Sequence, residues 1–430
     1  MPLSRVARSS TFASFRFPNY RLWFAAALVA NVGMWAQRIG MDWIVLTELS
    51  EESGTAVGIS VALQFLPTLL LSPYAGLLAD RLPRRRLLMT TQAAQAVVTF
   101  TAAALVLSGA VRLWHVFALA LVGGTVAALD GPVKITFVNE LVPQDSVTNA
   151  VGLNSASFNV ARLIGPAVAG LLIAAFGPGW VFVIAGLTFG CSISALASMN
   201  ADAMHSLPVV PRARGQVLEA VRYVRGRRDL VAILTVLGVV TMFGLAFQLT
   251  SAMMARIEFG RGAGEFGALG SALAVGSLTG ALLAARRRQP RVRLVLGSGF
   301  VLSVALGVSA LMPTFGWYLV AAAPIGLASM TMITAANATI QTRVEPSMRG
   351  RVMALYLMIF LGGVPIGSPL LGWIGETLGP RAAIGLGAVA TFVVCAVMSL
   401  VAVRRWGVRP RYYRCPTTNR RRLDLELARA

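Results

Sequence analysis

Apolar residues recur in long blocks along most of the chain, and short polar stretches separate the blocks. Each block is about 20 residues long, which is the helix length that crosses roughly 30 Å of membrane hydrocarbon. The pattern therefore predicts an all-α membrane protein with twelve transmembrane helices. The predicted spans are residues 22–46, 55–78, 87–108, 114–136, 148–175, 181–199, 230–253, 265–284, 294–312, 317–340, 350–373 and 382–403.

Arginines are concentrated in every second loop between the predicted spans. Positively charged loops stay on the cytoplasmic side of a membrane. We therefore expect a multi-pass protein of the bacterial inner membrane with both termini in the cytoplasm. The predicted inner loops contain Arg81, Arg84, Arg85, Arg86, Arg212, Arg214, Arg222, Arg225, Arg227, Arg228, Arg286, Arg287, Arg288, Arg291, Arg293, Arg343, Arg349 and Arg351, and the outer loops contain Arg112, Arg256, Arg261 and Arg381.

Composition agrees with a membrane location. Of the 430 residues, 56% are hydrophobic and 13% are charged, with a mean hydropathy of +0.71. A soluble domain contains about 25% charged residues. The formal net charge of +21 is spread over all inner loops instead of forming one patch, so attraction to anionic membrane lipids explains it better than nucleic acid binding.

The sequence lacks the residue patterns that several classes of function require. The two histidines are isolated and the three cysteines form no ligand pattern, so we expect no metal site and no cofactor. Lys134 is the only lysine, and no phosphate-binding loop precedes it. We therefore expect no enzyme and no built-in ATP motor. Any pumping would use an ion gradient or a separate subunit.

The chain also shows a weak internal repeat. Gly165 matches Gly367, Gly170 matches Gly372, and Gly177-Pro178 matches Gly379-Pro380, all at one offset without a gap. Such a repeat indicates two halves of six helices each. The predicted domains are 1–199 for the first half, 200–229 for an inner loop with an amphipathic helix, 230–403 for the second half and 404–430 for a basic cytoplasmic tail.

Two groups of motifs resemble a known family. The stretch Gly76–Arg85, GLLADRLPRR, resembles the signature of the major facilitator superfamily and departs from it at Pro83. Four further stretches resemble the transmembrane secretion effector branch, which is similar to macrolide and siderophore exporters. They are Asn19–Trp23, Asp42-Trp43, Leu63–Thr68, and Leu153–Asn159 leading to Ile164-Gly165-Pro166. The resemblance covers roughly residues 12–403. It implies the twelve-helix fold, alternating access and outward export of small molecules.

The first candidate cluster follows from the signature. The resemblance implies that Asp80, Arg81, Arg84 and Asp130 form a latch near the inner face, which holds one conformation and breaks in the other. Asp80 and Arg84 match the motif, and Asp130 matches an acid at the end of the fourth helix. The alternative is an ordinary basic loop with a helix cap.

The second cluster lies on the first predicted helix. Asn31, Trp35, Arg38 and Asp42 share one helical face, and Arg38 and Asp42 can pair at a spacing of four residues. Ionisable groups inside a membrane are costly, so a function is the default hypothesis. We expect Asp42 to couple transport to protons with Arg38 and Arg162. A permanent ion pair near the outer interface is the alternative.

Span five contains Arg162 midway and a predicted kink. Pro166 frees a backbone carbonyl, and Gly165 and Gly170 allow close packing, so a bend is expected. Arg162 either pairs with Asp42 or Asp130 or faces an anionic group of a substrate.

Polar positions on other spans complete the predicted substrate cavity, although each could instead bond to a neighbouring helix. The predicted cavity residues are Asn31, Trp35, Gln64, Gln248, Thr334 and Asn337.

We therefore predict a secondary transporter that exports small amphipathic molecules by proton antiport and works as a monomer. Its partners are the substrate, protons and anionic lipids. Two alternatives remain open. One is a proton-coupled importer or symporter of nutrients, and the other is a membrane sensor or scaffold without transport.

Overall fold

Helices make up the membrane part of the chain. The computed structural model describes residues 12–205, 216–285, 292–405, 408–414 and 421–427, with the backbone alone at 72–81, 216–217, 285, 346–347, 405 and both strands. The helices are α1 (Pro18–Ile44), α2 (Gly54–Arg81), α3 (Arg84–Leu107), α4 (Leu113–Phe137), α5 (Val147–Phe176), α6 (Pro178–Ser198), α7 (Gln216–Arg225), α8 (Arg228–Val239), α9 (Phe247–Met253), α10 (Ala263–Ala285), α11 (Val292–Ala310), α12 (Phe315–Arg343), α13 (Pro346–Thr377) and α14 (Pro380–Arg405).

Eleven segments of the described chain are long and apolar enough to cross a membrane. The first helix, α1, has 27 residues and is also long enough, but its polar face with Asn31, Arg38 and Asp42 lowers its hydropathy. The prediction of an all-α membrane protein is confirmed, and α1 supplies the twelfth span.

The seventh span is the least regular. It runs from Arg228 to Glu258 and consists of α8 and α9 with π turns at Val240–Gly244 and Met254–Glu258. Glycines of α13 pack against the first π turn, and a Cβ atom at Gly367 would overlap the carbonyl of Met242. The sequence predicted an ordinary helix here, because a π turn has no signal in apolar periodicity.

Two compact units form within the chain. The first contains Met1–Glu52, Leu63–Arg212 and Gly262–Ser271, and the second contains Ser53–Ala62, Ala213–Arg261 and Ala272–Ala430. Each unit thus includes one short segment from the other predicted half, at the start of α2 or of α10. The predicted boundary at residue 199 itself stays a prediction.

In the first unit, α1 packs on α5 and α6, and α3 packs on α4 and α6. A cluster of large buried side chains joins these helices near the ends that carry the arginine-rich loops. Its largest members are Trp23, Tyr20 and Phe137, and the Trp23 and Phe137 rings meet edge to face at 5.1 Å. This core fixes the starts of α1 and α5 relative to the end of α4.

In the second unit, α11 packs on α12 and α14, and α13 packs on the broken seventh span. Helix α7, in the loop between the halves, lies against α13. Its Ala220 and Val224 are buried, whereas Leu218 is exposed, and Arg351 of α13 pairs with Glu219. After α14, the strands β1 (Val408–Arg414) and β2 (Arg421–Leu427) pair antiparallel, which the sequence analysis did not predict.

Candidate functional site

A polar face of α1 forms the centre of the candidate site. Asn31 and Trp35 are buried with 4% and 7% of their surface exposed, and Arg38 and Asp42 follow on the same face at helical spacing. Trp23, two turns before Asn31, belongs to the packed core instead. The change from apolar core to polar face along one helix places charges deep in the span, where they must find partners.

Asp42 has a hydrogen-bond partner on the neighbouring helix. Gln64 of α2 donates from its Nε2 atom to Asp42 Oδ1 at 2.9 Å, and Gln64 is 4% exposed. A carboxylate that accepts a buried hydrogen bond is stabilised in its charged form. Gln64 was predicted to line the cavity, but its bond to Asp42 was not predicted, because residues 22 positions apart on different helices share no periodicity.

Arg38 packs against aromatic rings. Its guanidinium carbon lies 4.5 Å from the centroid of the Phe65 ring and 5.2 Å from that of the Trp35 ring. The Asp42 carboxylate is close enough to act on Arg38 electrostatically. Ring faces attract a cation most strongly where water is excluded. Arg38 therefore lies against two ring faces, on the same helix as the carboxylate predicted to move protons.

A small polar cavity borders this group. It has a volume of about 20 Å³ and is lined by residues of α1, α2, α3 and α4, including Gln37, Arg38, Gln64 and Gln95. Such a volume holds about one water molecule. The cavity is too small for an organic substrate.

Helix α5 lies directly against Trp35. A Cβ atom at Gly165 would overlap the Trp35 Cβ, and the Phe158 ring lies 6.1 Å from the Trp35 ring. Gly165 and Pro166, predicted to form a kink, are both buried inside α5. The close approach explains the glycine, since a side chain at this position would push the two helices apart.

Helices α1 and α5 run parallel, which fixes the level of Arg162. Tyr20 donates to the Ala150 carbonyl at 2.9 Å and Trp23 to Asn154 at 3.3 Å, in the same order along both helices. With Gly165 beside Trp35, Arg162 lies level with about residue 32. At a rise of 1.5 Å per residue, Arg162 is about 15 Å from Asp42 along the helix axis.

The same contacts join two of the family-like motifs. Asn19–Trp23 opens α1, and Leu153–Asn159 lies in the first half of α5. Asn19 also exchanges two hydrogen bonds with the backbone of Asn200, at 2.8 and 3.1 Å. These motif residues therefore hold the helix ends together, and their side chains are structural in this conformation.

Among the described side chains, Arg84 of the predicted latch has a partner from outside it. Arg84 pairs with Glu140, which follows α4, and both side chains are largely buried. Arg85 donates to the carbonyls of Leu196 and Ala197 at 2.7 and 2.8 Å. The side chains of Asp80 and Arg81 lie outside the described residues, so their part in the latch stays a prediction.

Asp130, the other predicted member, lies in a separate buried network. Its Oδ2 atom is 2.7 Å from Lys134 Nζ, and its Oδ1 atom accepts from Thr91 at 2.7 Å and Gln92 at 2.9 Å. Arg84 and Asp130 thus have the partners Glu140 and Lys134, which were not part of the predicted latch. Lys134 was visible as a partner in the sequence, because it lies four residues after Asp130 on α4.

The predicted cavity residues of the second unit are partly buried. Gln248 lies in the first turn of α9, and Thr334 and Asn337 lie on α12. Asn337 accepts a hydrogen bond from Gln341 one turn later. The apolar groove of about 440 Å³ on α11 and α12 is a different feature, since exposed Val304 and Val308 line it and suit lipid tails.

Two close helix crossings occur at the opposite ends of the spans from the arginine-rich loops. In the first unit, a Cβ atom at Gly170 of α5 would lie 2.5 Å from the Gly267 Cα of α10. In the second unit, a Cβ atom at Gly58 of α2 would overlap the backbone of Ser368 in α13. Gly170 was predicted to be part of the kink in α5. Its close contact with Gly267 is a more direct reason for a glycine at this position.

Glu376 of α13 caps the second of these crossings. Its Oε2 atom accepts from the Thr55 backbone N–H at 2.9 Å and from Ser53 Oγ at 2.8 Å. A carboxylate at the first turn of α2 satisfies free backbone donors and the helix dipole. Sequence reasoning missed this residue, because a cap supplied by a helix more than 300 positions away leaves no local signal.

Comparisons with known proteins give one family. The family model described as transmembrane secretion effector matches residues 9–423. The multidrug efflux pump Tap of Mycobacterium tuberculosis is 28% identical over 91% of this chain and 94% of its own length. The staphyloferrin A transporter of Staphylococcus aureus is 22% identical over 90% and 96%. A crystal structure of a POT family transporter with a bound peptide conjugate matches with a TM-score of 0.72 at 11% identity, over 90% of this chain and 96% of that one.

Proposed function

The chain belongs to the transmembrane secretion effector family of membrane transporters, and on this basis we propose that it exports small amphipathic molecules in exchange for protons. The substrate class comprises antibiotics, secondary metabolites and siderophores. Its relatives are named as a multidrug efflux pump and as a siderophore transporter, and they align over nearly their whole length. Both names support a small-molecule substrate, and the efflux pump supports the outward direction.

The charge pattern of the loops supports the orientation. The arginine-rich loops and both termini face the cytoplasm under the positive-inside rule. In this orientation the Arg84–Glu140 and Asp130–Lys134 pairs lie near the inner surface, and the Glu376 cap lies near the outer surface. The loops with few arginines face the periplasm.

The observation that carries the proposal is the environment of Asp42. It is a carboxylate inside a span, hydrogen-bonded to Gln64 and next to Arg38. We expect a change in these contacts to accompany a change in the protonation of Asp42. Alternating access that changes these contacts would take up a proton on one side and release it on the other.

The buried ion pairs near the inner end supply the switching element. Opening that end requires the Arg84–Glu140 pair to separate or move as a unit, and a charge left alone there is costly. Such a cluster has two discrete states, paired and separated, as a conformational latch needs. We assign Asp80 to the same cluster because it belongs to the signature motif.

A gradient-collapse assay in everted membrane vesicles tests the proposal. Vesicles containing the protein are acidified by respiration, and macrolides, siderophores and lipophilic cations are added in turn. An exporter that exchanges protons for substrate will dissipate the gradient with at least one class. The Asp42→Asn variant, present in equal amount, will show no dissipation with that class.

Other outcomes separate the alternatives. Uptake of a solute into right-side-out vesicles under an inward proton gradient would identify an importer. The absence of any flux for the whole panel, together with unchanged cell physiology in Asp42→Asn and Arg162→Gln variants, would favour a sensor or scaffold.

A further inference from the structure

Two consecutive residues of α2 contact the two charged residues of α1. Gln64 donates to Asp42 Oδ1 at 2.9 Å, and the centroid of the Phe65 ring lies 4.5 Å from the Arg38 guanidinium carbon. Both contacts join one helix to another, so they depend on the position of α2 against α1. Both residues also belong to Leu63–Thr68, one of the family-like stretches.

The Arg38 guanidinium lies over two ring faces from different helices. Trp35, one turn earlier on α1, contributes the second ring, with its centroid at 5.2 Å. Trp35 moves with Arg38 because both belong to α1, whereas Phe65 belongs to α2. An arginine side chain has several rotatable bonds, and a ring face that attracts the cation restricts them. Phe65 is therefore the part of this contact that fixes the guanidinium relative to α2.

Helix α4 fixes the backbone of α2 at the level of these contacts. A Cβ atom at Gly124 of α4 would lie 2.6 Å from the Gln64 carbonyl oxygen and 2.8 Å from that of Leu63. Pro67 has no backbone N–H, so the Leu63 carbonyl lacks its usual helical donor. A glycine allows the two backbones to approach this closely. The side chains of α2 therefore reach α1 from a backbone with a defined position.

The position of the Arg38 guanidinium affects Asp42, because the interaction between two charges falls with their separation. Asp42 lies one turn after Arg38 on α1, and the two groups interact electrostatically. A nearby charge is one of the factors that set the proton affinity of a carboxyl group. A side chain that holds the guanidinium in place therefore acts on the acid without touching it.

Other charged residues near this pair come from few elements. Arg162 lies on α5, which packs on α1. Glu48 lies in the π turn that follows α1, and Glu265 of α10 precedes Phe266, whose ring stacks on Trp43 at 5.4 Å. Helix α6 has no acidic or basic residue, and the described side chains of α2 include none. The side chains of α2 that contact the charged pair can therefore be changed without adding or removing a charge.

We propose that Phe65 is a positioning residue for proton coupling: its ring holds the Arg38 guanidinium near Asp42 and thereby sets the proton affinity of Asp42. This role rests on the proposed function, in which Asp42 exchanges protons. Phe65 acts through Arg38, since a phenyl ring neither gives nor takes a proton. A displacement of α2 away from α1 loosens the ring contact and the Gln64 bond together. Phe65 thus links the position of α2 to the protonation of the acid.

An infrared titration of the purified full-length protein tests the proposal without a substrate. The carbonyl stretch of protonated Asp42 is identified as the band that Asp42→Asn removes, and its titration midpoint is measured in each variant. Phe65→Leu keeps an apolar side chain but removes the ring face, and we expect it to move the midpoint by at least about half a pH unit, a threefold change in proton affinity. Phe65→Met, a second change without a ring, will act in the same way. Phe65→Tyr keeps the ring and will stay close to the wild type.

A double variant and a matched control complete the test. In the Arg38→Gln background, Phe65→Leu will cause no further change, because the ring then has no cation to hold. Phe100→Leu, the same change at an exposed position on α3, will leave the midpoint unchanged. A midpoint that is unchanged in Phe65→Leu and Phe65→Met, or that moves equally with and without Arg38, would overturn the role of Phe65 alone. The absence of any Asp42 band between about pH 4 and pH 10 would instead count against proton exchange at Asp42, and with it against this role.

Discussion

Asp42 of α1 accepts a hydrogen bond of 2.9 Å from Gln64 of α2, and this bond joins the acid predicted to carry protons to a second helix. The two helices, together with α3 and α4, line the small cavity beside Arg38. A change in the position of α2 would remove the donor and change the proton affinity of Asp42. This relationship gives the proposed coupling a physical basis in a single contact.

The Asp130–Lys134 pair is expected to stabilise the first unit. Lys134→Met leaves a buried carboxylate with only neutral donors, and breaking a buried ion pair costs about 3–5 kcal/mol. We expect a clearly lower melting temperature in detergent, measured by fluorescence-detected size-exclusion chromatography after heating. The double variant Asp130→Asn/Lys134→Met removes both charges and should recover much of the loss. Equal melting of the wild type and Lys134→Met would contradict the role of the pair.

The Arg84–Glu140 pair is expected to act in transport more than in insertion. Glu140→Gln removes its charge-assisted bond, so we expect normal amounts of protein in the membrane and reduced substrate flux. Asp80→Asn is expected to have the same effect. Since both residues are proposed to act in one cluster, their effects should not be independent. The double variant Glu140→Gln/Asp80→Asn should therefore lose less transport than the product of the two single losses. Independent, multiplicative effects would show that Asp80 belongs to no common latch.

The Glu376 cap is expected to stabilise the first turn of α2. Glu376→Gln loses the carboxylate that accepts from the Thr55 amide and should weaken this helix start by about 1 kcal/mol. Hydrogen exchange of the peptide containing Thr55 should then be about fivefold faster, as 1.4 kcal/mol corresponds to tenfold. Glu51→Gln changes an exposed acid just before α2 and should leave the exchange unchanged. Identical exchange in Glu376→Gln and the wild type would remove the cap from the account.

The glycine crossing of α5 and α10 is sensitive to one methyl group. Gly170→Ala places a Cβ 2.5 Å from the Gly267 Cα, so the helices must separate, and overpacking of this kind costs about 1–3 kcal/mol. We expect lower thermal stability and slower transport. The control, Gly190→Ala on α6, adds a methyl group in open space and should be neutral or slightly stabilising. Similar effects of both substitutions would indicate that the close approach has no special role.

Periodicity and length predicted the spans, because a membrane helix must satisfy its own backbone and be apolar for about 20 residues. The face of Asn31, Trp35, Arg38 and Asp42 was predictable for the same reason, since helical spacing is local. The hydrogen-bond and ion-pair partners of the functional residues were harder to predict from the sequence. Gln64 was placed in the cavity without its bond to Asp42, and Glu140 and Glu376 were missed, because their contacts depend on how distant helices pack.

The motifs had a different limitation. Tyr20, Trp23 and Asn154 stand in family-like stretches, and the structure places them in contacts between α1 and α5. Asp80 carries the signature itself, yet the charge partners described near the inner end are Glu140 and Lys134. A motif thus indicated the family, whereas the ion pairs around it depend on residues that the motif does not contain.

The most direct test of proton coupling compares exchange with accumulation in one set of proteoliposomes. Wild-type protein and Asp42→Asn are reconstituted in the same amount with a substrate identified in everted vesicles. Substrate exchange at equal concentrations on both sides requires no proton movement, whereas accumulation driven by a pH gradient does. We expect Asp42→Asn to retain exchange and to lose gradient-driven accumulation. Unchanged accumulation in Asp42→Asn would contradict it and place proton coupling at another residue.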